Sequence, residues 1–244
     1  MQSLSLARPL DGIWPYIQIA RIDHWFKNVF MMLGVVVAGF AEPKVLTWSS
    51  VVPVIVALFA TCLVASSNYV LNELLDGATD RMHPEKRHRP VPSGLIRPWI
   101  GYMEWMVLGA LGIWIAAQVN TPFMVSAALL WIMGILYNVP PIRTKEWPYL
   151  DVLSESINNP IRLLLGWFAL IADKFPPSSL LLAYWMVGAF FMGAKRLAEY
   201  RHIGDREVAA TYRRSFAYYT EDRLLLSLFF YSTACAFVGG NFIL

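Results

Sequence analysis

Hydrophobic residues along the chain form seven long runs, and charged residues are concentrated between them. A helix needs about 20 mostly apolar residues to cross the hydrocarbon core of a bilayer, where only helices and closed barrels satisfy their backbone hydrogen bonds. The pattern therefore predicts an all-α, polytopic transmembrane helix bundle. The seven predicted spans are residues 25–41, 49–78, 98–118, 121–138, 150–172, 177–200 and 222–242.

The overall composition supports this class. The chain has 244 residues, of which 57% are hydrophobic and 15% are charged, whereas an ordinary soluble domain carries about 25% charged residues. Both cysteines, Cys62 and Cys235, lie in apolar runs, so we expect small buried residues and neither a disulfide framework nor a cysteine metal site.

Positive charge is distributed unequally over the loops. Of the 20 Lys and Arg residues, Lys44 and Lys174 lie in short loops, and Arg162 lies within a predicted span. The other 17 are assigned to the N-terminal arm, the entry to the first span or the long loops. Because Lys and Arg are retained on the cytoplasmic side, this bias predicts a cytoplasmic face in a bacterial inner (plasma) membrane. That face comprises the N-terminus and residues 79–97, 139–149 and 195–223.

The segments outside the spans differ in character, although the 244 residues are predicted to form one domain. Residues 1–20 lack an apolar core with a small-residue cleavage site, so we expect an interfacial arm and no cleavable signal peptide. Residues 203–221 are polar with several tyrosines, which predicts an amphipathic cap over the cytoplasmic face, a candidate lid. The chain ends at Leu244 in an apolar run, so we expect it to be truncated.

The stretch from Ser67 to Gly94 carries the strongest chemical signal. Asn72, Asp76 and Asp80 are spaced by four, which places their oxygens on nearly one face of a helix. Such oxygen ligands suit Mg²⁺ and leave room for water and phosphate. The basic residues that follow, which can meet phosphate oxygens, are Arg81, Lys86, Arg87 and Arg89. A solvated helix end beside a positive loop would explain these cations but not carboxylates at the end of a span, which are costly.

Polar residues also occur around the fourth and fifth spans. Pro140 and Pro141 stop the fourth span and are expected to present Arg143 and Lys145 at a fixed place. The fifth span carries two carboxylates one turn apart and an arginine further in. These residues, Asp151, Glu155 and Arg162, form either a structural ion pair or a polar cavity that receives a substrate.

The sixth span ends with Lys195, Arg196 and Glu199. Two cations and one acid make a net positive patch, which attracts phosphate and repels a second Mg²⁺. We therefore expect Lys195 and Arg196 to lie across the cavity from Asp76 and to contact a phosphate. Glu199 would hold one of these cations or a hydroxyl of the substrate.

Two motifs resemble one superfamily. The pattern N-E-x-x-D-x-x-x-D-R at 72–81 resembles NDxxDxxxDR, the first aspartate-rich motif of the UbiA superfamily of intramembrane prenyltransferases, with Glu73 where Asp is usual. Tyr137-Asn138, Pro140-Pro141 and the Arg143/Lys145 pair are similar to that superfamily's YSxPPxRLK-like loop. The resemblance covers almost the whole chain and implies a fold of nine transmembrane helices, of which this chain would contain seven.

Other segments are most similar to the decaprenyl-phosphate phosphoribosyltransferase branch. HPEKRHRPVPSG at 83–94 resembles HPxKRxRPxxxG, and GAKRLAEYRHIG at 193–204 resembles GKRxAE, with RRSFAYYT at 213–220 similar to the helix that follows. Phe26-Lys27-Asn28 is similar to the WxKN segment of that branch, which also carries an acid and an arginine where Asp151 and Arg162 fall. The DxxxD of aromatic prenyltransferases is absent, because Glu199 is the only acid in that core.

The resemblance implies Mg²⁺-dependent transfer of 5-phosphoribose from phosphoribosyl pyrophosphate to a polyprenyl phosphate, with release of diphosphate. The implied Mg²⁺ ligands and catalytic residues are Asn72, Asp76 and Asp80, with Asp151 and Glu199 as further catalytic residues. The implied substrate-binding residues are Lys27, Asn28, Tyr69, Arg81, Lys86, Arg87, Arg89, Tyr137, Arg143, Lys145, Arg162, Lys195 and Arg196. No nucleic-acid partner is expected.

Two other functions are left open by the sequence. A UbiA-type prenyltransferase that moves a polyprenyl group from its diphosphate to an aromatic acceptor, such as a hydroxybenzoate, would use the same metal site but prefer a second DxxxD and fewer cations. A non-catalytic, lipid-phosphate-binding membrane subunit would explain the basic face but not the spacing of residues 72, 76 and 80. Prenyl length, pathway and oligomeric state are also left open.

Overall fold

A computed structural model describes residues 12–82 and 85–243 of the chain, so most of the predicted N-terminal arm, His83, Pro84 and Leu244 lie outside the described residues. The described part contains helices and turns and no strand, and the predicted all-α class is confirmed. The α-helices are α1 (Trp14–Ile19), α2 (Met32–Ala41), α3 (Val51–Asp80), α4 (Pro98–Val119), α5 (Thr121–Asn138), α6 (Leu150–Ser156), α7 (Asn158–Phe168), α8 (Ser178–Ile203), α9 (Arg206–Tyr212) and α10 (Glu221–Ile243). The 3₁₀ helices are Ile22–Met31, Pro43–Val45, Trp48–Ser50, Lys86–His88, Thr144–Glu146 and Arg214–Ala217.

Six helical stretches among the described residues are long and apolar enough to cross a membrane. They correspond to six of the seven predicted spans and are Trp14–Ala41, Trp48–Asp80, Pro98–Val119, Thr121–Asn138, Ser178–Ile203 and Glu221–Gly240. The other predicted span, 150–172, is divided at Ile157 into α6 and α7 and carries three charged side chains in its helical part. The total of seven crossings therefore stays a prediction.

Several helix ends follow from local sequence. The Asn120 side chain accepts a hydrogen bond from the Phe123 amide at 2.8 Å, and Pro122 occupies the first turn of α5. Gly204 ends α8 with a φ of 70°, a left-handed conformation that glycine adopts without a steric penalty. Asp205 then caps α9 by accepting from two backbone amides. These caps fix the sharp change of direction between α8 and α9.

Helix α3 is central to one part of the bundle, where it packs against α4 and α5, while α2 packs on α7 and α8 on α10. One apolar core includes Val64, Phe123, Leu130 and Leu165. A second core lies beneath α9 and comprises Leu197, Ala209, Phe216, Tyr219 and Leu224. Because lipid is as apolar as these side chains, helix association in the membrane depends on close packing and on polar contacts.

Helices α2 and α7 approach closely at two glycines. A Cβ atom on Gly34 would collide with the carbonyl oxygen of Leu163, and one on Gly166 would collide with that of Met31. Small residues allow such backbone contacts between membrane helices. The crossing of α2 and α7 therefore requires glycine at both positions.

A buried ion network connects α6 to α8. The Nε atom of Arg196 donates to Oδ2 of Asp151 at 3.1 Å, and the two side chains are 1% and 0% exposed. The other two guanidinium nitrogens bind Glu155 at 2.9 Å and Glu199 at 3.2 Å. Every nitrogen of this buried guanidinium thus has a carboxylate partner, as charges inside a membrane bundle require.

The same carboxylate also anchors the predicted cap. The Tyr219 hydroxyl donates to Oδ1 of Asp151 at 2.6 Å, and the Ser215 hydroxyl donates to Oδ2 at 3.1 Å. Burial and the neighbouring Asp151 carboxylate raise the pKa of Tyr219, so this hydroxyl remains a donor. Asp151 therefore joins α6, α8 and the segment after α9, while the role of that segment as a lid stays a prediction.

Substitution Gly34→Ala is expected to lower the free energy of unfolding by about 1–3 kcal/mol, because the added methyl group must push α2 away from α7. Thermal unfolding in detergent measures the effect. Gly240→Ala is the matched control, since no atom lies within 4 Å of the position that its added methyl group would take on α10. Equal melting temperatures for the two variants would contradict the close crossing.

Substitution Arg196→Ala is expected to lower the free energy of unfolding by about 3–5 kcal/mol, because it leaves Asp151 buried without its counter-ion. Arg201→Ala on the same helix removes a guanidinium that is 57% exposed and paired with Glu221, and should cost at most about 1 kcal/mol. Denaturation of both variants in the same detergent makes the comparison. A loss no larger than that of the control would show that the network does not stabilise the fold.

Candidate active site

A cavity of about 210 Å³ lies at the charged end of α3. Helix α3 contributes Asp76, Thr79 and Asp80 to its wall, in keeping with the predicted common face. The rest of the wall comes from two loops and the cap, and consists of Lys86, Arg143, Lys145, Glu146, Ala210, Thr211, Arg213 and Arg214. Five of the residues predicted from sequence, two carboxylates and three cations, therefore share one cavity.

Asp76 is the centre of the charge pairing in this cavity. Its Oδ1 atom accepts from Lys145 at 2.5 Å and from Arg143 at 3.0 Å. The Lys145 ammonium also donates to Oδ1 of Asn138 at 2.9 Å and lies 3.4 Å from Oδ1 of Asn72. Three side-chain oxygens from α3 and α5 thus converge on one cationic group.

The turn that carries these cations is held firmly in place. Arg143 has φ 33° and ψ 60°, a left-handed conformation that costs a non-glycine residue about 1–2 kcal/mol. Its ion pairs with Asp76 and Glu146 offset that cost. Burial lowers the pKa of Lys145 to about 8, against the opposing effect of Asp76. Both cations are therefore positioned toward the cavity by the fold.

Asp80, one turn after Asp76, is paired with a different cation. Its Oδ2 atom accepts from Arg89 at 2.7 Å, which ties the loop after α3 back to the helix. Arg81 and Arg87 do not line the cavity: Arg81 donates to the Pro92 carbonyl at 3.2 Å, and Arg87 contacts the neighbouring His88. Their assignment as substrate-binding residues stays a prediction.

Glu73 positions the same loop, a role that the sequence did not reveal. Its carboxylate is buried, accepts from the backbone amide of Val91 at 3.2 Å and lies 3.6 Å from Arg21. The side chain is one methylene longer than the aspartate usual at this place, and here that carboxylate reaches the loop backbone. The position of this acid directly after Asn72, off the face shared by Asn72, Asp76 and Asp80, was the available signal.

The oxygen donors at the end of α3 can be compared with what Mg²⁺ requires. Among the described residues, no group of three His, Cys, Asp or Glu side chains could hold a metal ion. Asp76 and Asp80 nevertheless line one cavity, and Asn72 supplies an amide oxygen that already faces a cation. Mg²⁺ commonly takes one or two carboxylates and completes its shell with water and substrate phosphates. The residues present fit such a partly open site.

The ion network under the cap contains four of the predicted site residues. Three of them, Asp151, Arg196 and Glu199, are joined by ion pairs, and Tyr137 joins the network by its hydrogen bond to Glu155. Of the two alternatives for the fifth span, the ion pair is formed, but its arginine is Arg196 and not Arg162. The Tyr137 hydroxyl donates to Glu155 at 3.1 Å. Catalytic or substrate-binding roles for these residues stay predictions.

The remaining predicted residues gather elsewhere in the bundle. Arg162 donates to Oδ1 of Asn28 at 3.2 Å, and both Lys27 and Tyr69 contact the His24 ring. Lys195 is exposed on α8. Apart from Arg81 and Arg87, the residues predicted from sequence lie at the Asp76 cavity, in the Arg196 network or in this remaining set.

The cap contributes two cations that were not among the predicted site residues. Arg213 and Arg214 line the cavity, and Arg213 also lies 3.9 Å from Asp151, so it stands between the cavity and the ion network. Asn138, which binds Lys145, was also missed. The RRSFAYYT segment and the Tyr137-Asn138 pair stand out as motifs in the sequence, but only the fold shows which of their side chains meet the cavity.

Two relatives by sequence match much of the chain. It is 33% identical over 184 residues to the nodulation protein NoeC of Azorhizobium caulinodans, covering 75% of this chain and 57% of that protein. It is 29% identical over 220 residues to the decaprenyl-phosphate phosphoribosyltransferase of Mycolicibacterium smegmatis, covering 88% and 66% respectively. The chain thus spans less than two thirds of the length of each relative.

Solved structures share the fold. A UbiA homolog from Archaeoglobus fulgidus bound to GPP and Mg²⁺ matches with a TM-score of 0.74 at 20% identity, over 92% of this chain and 76% of that chain. A structure of digeranylgeranylglyceryl phosphate synthase matches with a TM-score of 0.70 at 14% identity, over 93% and 75%. At such identities the likeness concerns the helical architecture.

The sequence profile of the UbiA prenyltransferase family matches residues 29–244, which is most of the chain. This match agrees with the apolar helices of the bundle and with the fold shared with solved UbiA structures. The chain is an integral membrane protein and belongs to the UbiA prenyltransferase family.

Proposed function

We propose that the protein transfers 5-phosphoribose from phosphoribosyl pyrophosphate to a polyprenyl phosphate and releases diphosphate. The observation that carries this proposal is the charge composition of the Asp76 cavity, where three carboxylates face five cations. Such a surface suits several phosphate groups together with a divalent ion. The relatives named decaprenyl-phosphate phosphoribosyltransferase, which match 88% of the chain, support the same reaction.

Asn72, Asp76 and Asp80 would hold Mg²⁺ at this cavity. Bound there, the ion would neutralise charge that develops on the departing diphosphate. The cations of the cavity wall would neutralise the same charge, because Lys86, Arg143 and Lys145 can donate hydrogen bonds to phosphate oxygens. Because Arg143 and Lys145 are held by the fold, little reorganisation is needed as charge moves onto the leaving group.

The chemistry at the ribose requires mainly positioning. The bond between C1 and the diphosphate oxygen breaks, and an oxygen of the lipid phosphate forms the new bond to C1. As in other glycosyl transfers, C1 passes through an oxocarbenium-like state. The lipid phosphate is already an anion at neutral pH, so no strong general base is required, and the protein contributes by holding both substrates in line.

An aromatic prenyltransferase would be expected to carry a second acid pair for metal binding at the end of α8. Glu199 is the acid present in that helix end, and its carboxylate binds Arg196 at 3.2 Å. This arrangement favours the phosphoribosyl reaction, because the helix offers cations where the other reaction needs acids. A non-catalytic lipid-binding subunit would not require the two carboxylates that α3 places on the cavity wall.

We further propose that the cavity faces the cytoplasm. With the N-terminus inside, a cysteine at position 86 is expected to react with an impermeant thiol reagent only from the cytoplasmic side of the intact membrane. Lys44→Cys, in the loop beyond α2, is the matched control and should react from outside. Labelling of positions 86 and 44 from the same side would overturn this orientation.

The reaction is tested by incubating purified protein with Mg²⁺, a polyprenyl phosphate and labelled phosphoribosyl pyrophosphate, and detecting labelled lipid. Asp76→Asn is expected to reduce this transfer roughly 100-fold or more, because it removes charge at the metal–diphosphate site without changing side-chain shape. Asp173→Asn, on an exposed loop outside the cavity, should leave the rate unchanged.

Three results would contradict these proposals. Normal activity of Asp76→Asn at limiting Mg²⁺ would show that the carboxylate is merely solvated. Prenylation of a hydroxybenzoate, with phosphoribosyl pyrophosphate ignored, would assign the aromatic reaction. Binding of polyprenyl phosphate without turnover of either kind would leave the non-catalytic function.

A further inference from the structure

A second cavity, of about 580 Å³, adjoins the Asp76 cavity. Arg143, Glu146 and Arg214 line both spaces, so the two cavities share one wall. The rest of the second cavity comes from the loop after α5 and from the cap, and consists of Pro140, Pro141, Trp147, Pro148, Ala217 and Tyr218. The reaction proposed for the Asp76 cavity leaves this space without an assigned ligand.

The Asp76 cavity is small for a complete sugar phosphate donor. Its volume of about 210 Å³ lies below the range of about 300–1,000 Å³ that is typical of small-molecule sites. The second cavity lies within that range. A donor whose diphosphate occupies the Asp76 cavity therefore has room for its remaining atoms across the shared wall.

The lining of the second cavity differs from that of the first. Apart from the shared wall, the second cavity is lined by Pro, Ala, Trp and Tyr side chains, whereas polar and charged side chains dominate the Asp76 cavity. Trp147 and Tyr218 are 55% and 46% exposed, so a ligand can cover their rings. Flat aromatic faces next to a few charged groups suit a ligand with an apolar face and polar edges. A pentose ring has both.

Hydrogen bonds and ring contacts hold this wall in place. The indole Nε1 atom of Trp147 donates to a backbone carbonyl of its own loop at 3.0 Å. The Arg223 guanidinium lies 4.3 Å from the centroid of the Tyr218 ring and donates to the Tyr218 carbonyl at 2.7 Å. The Nε atom of Arg206 donates to the neighbouring Ala217 carbonyl at 3.0 Å. An ordered wall lowers the entropy that is lost when a ligand binds.

Arg214 supplies positive charge at the boundary of the two cavities. In the described part of the chain it forms no ion pair, whereas Arg143 binds both Asp76 and Glu146. Its guanidinium is exposed on the cap and lines both spaces. Because a guanidinium can donate two parallel hydrogen bonds to one anion, Arg214 is suited to a phosphate monoester.

We propose that the second cavity binds the ribose 5-phosphate half of the donor, with the ribose against Trp147 and Tyr218 and its phosphate on Arg214. The proposal rests on the phosphoribosyl transfer proposed above and divides phosphoribosyl pyrophosphate between two adjoining spaces. The diphosphate occupies the Asp76 cavity, and C1 of the ribose lies at the shared wall. The second cavity thereby distinguishes this donor from a prenyl diphosphate, which lacks the phosphorylated sugar.

The test measures binding of ribose 5-phosphate, and separately of inorganic pyrophosphate with Mg²⁺, to the purified protein in detergent by isothermal titration calorimetry. Trp147→Ala is expected to weaken ribose 5-phosphate binding about 5- to 10-fold, because it removes one aromatic face of the cavity. Pyrophosphate binding should be unchanged, since Trp147 lies outside the Asp76 cavity. Trp99→Ala, a similarly exposed tryptophan on α4 outside both cavities, is the matched control and should bind both ligands normally.

Ala217→Phe is an independent variant that fills the cavity and keeps both aromatic side chains. Because Ala217 is exposed, the larger side chain leaves the core beneath the cap intact, and ribose 5-phosphate binding should weaken at least as much as in Trp147→Ala. Arg214→Gln should reduce the preference for ribose 5-phosphate over ribose roughly 10-fold. Arg201→Gln, an exposed arginine on α8 that is paired with Glu221, should keep that preference.

Two outcomes would overturn the proposal even if the protein transfers phosphoribose. One is that ribose 5-phosphate fails to bind the unaltered protein, or binds Trp147→Ala and Ala217→Phe normally. The other is that these variants lose farnesyl phosphate binding and retain ribose 5-phosphate binding, which would place the lipid phosphate in this cavity. The binding measurements do not need turnover, so the expected losses in a protein that transfers no phosphoribose would refute the proposed function and leave the sugar phosphate site standing.

Discussion

Charge compensation inside a membrane-spanning bundle is the constraint on which the rest of this structure depends. Asp151 and Arg196 are almost completely buried, and their ion pair is surrounded by hydrogen bonds from Ser215 and Tyr219. Neither charge would be tolerated alone at this depth. Their pairing fixes α8 against α6 and draws the segment after α9 over the bundle, and that segment supplies Arg213 and Arg214 to the cavity.

The same principle explains how charge is arranged at the end of α3. Asp76 is neutralised by Arg143 and Lys145, which lie far away in sequence. Asp80 is neutralised by Arg89, which lies in the loop after α3. These pairs tie two loops to one helix, so the residues that balance the carboxylates also become the wall of the cavity. The proposed binding of phosphates and a divalent ion needs both signs of charge, and the cavity holds both on one wall.

Arg162 is the exception to this balance. In the described part of the chain, its guanidinium is oriented by amide and carbonyl oxygens of Asn28 and Asn158 and by no carboxylate.

Sequence by itself determined the all-α membrane class, the approximate bounds of six apolar helices and the shared face of Asp76 and Asp80, because hydropathy and helical periodicity are local properties. It left the ionic partners undecided. Asp151 and Glu155 are paired with Arg196, 45 and 41 residues away, rather than with the nearer Arg162, and Glu73 reaches the backbone of Val91. Such choices depend on which helices become neighbours and at what rotation, and only the tertiary structure decides them, since many cations along the chain have the chemistry to neutralise the same carboxylate.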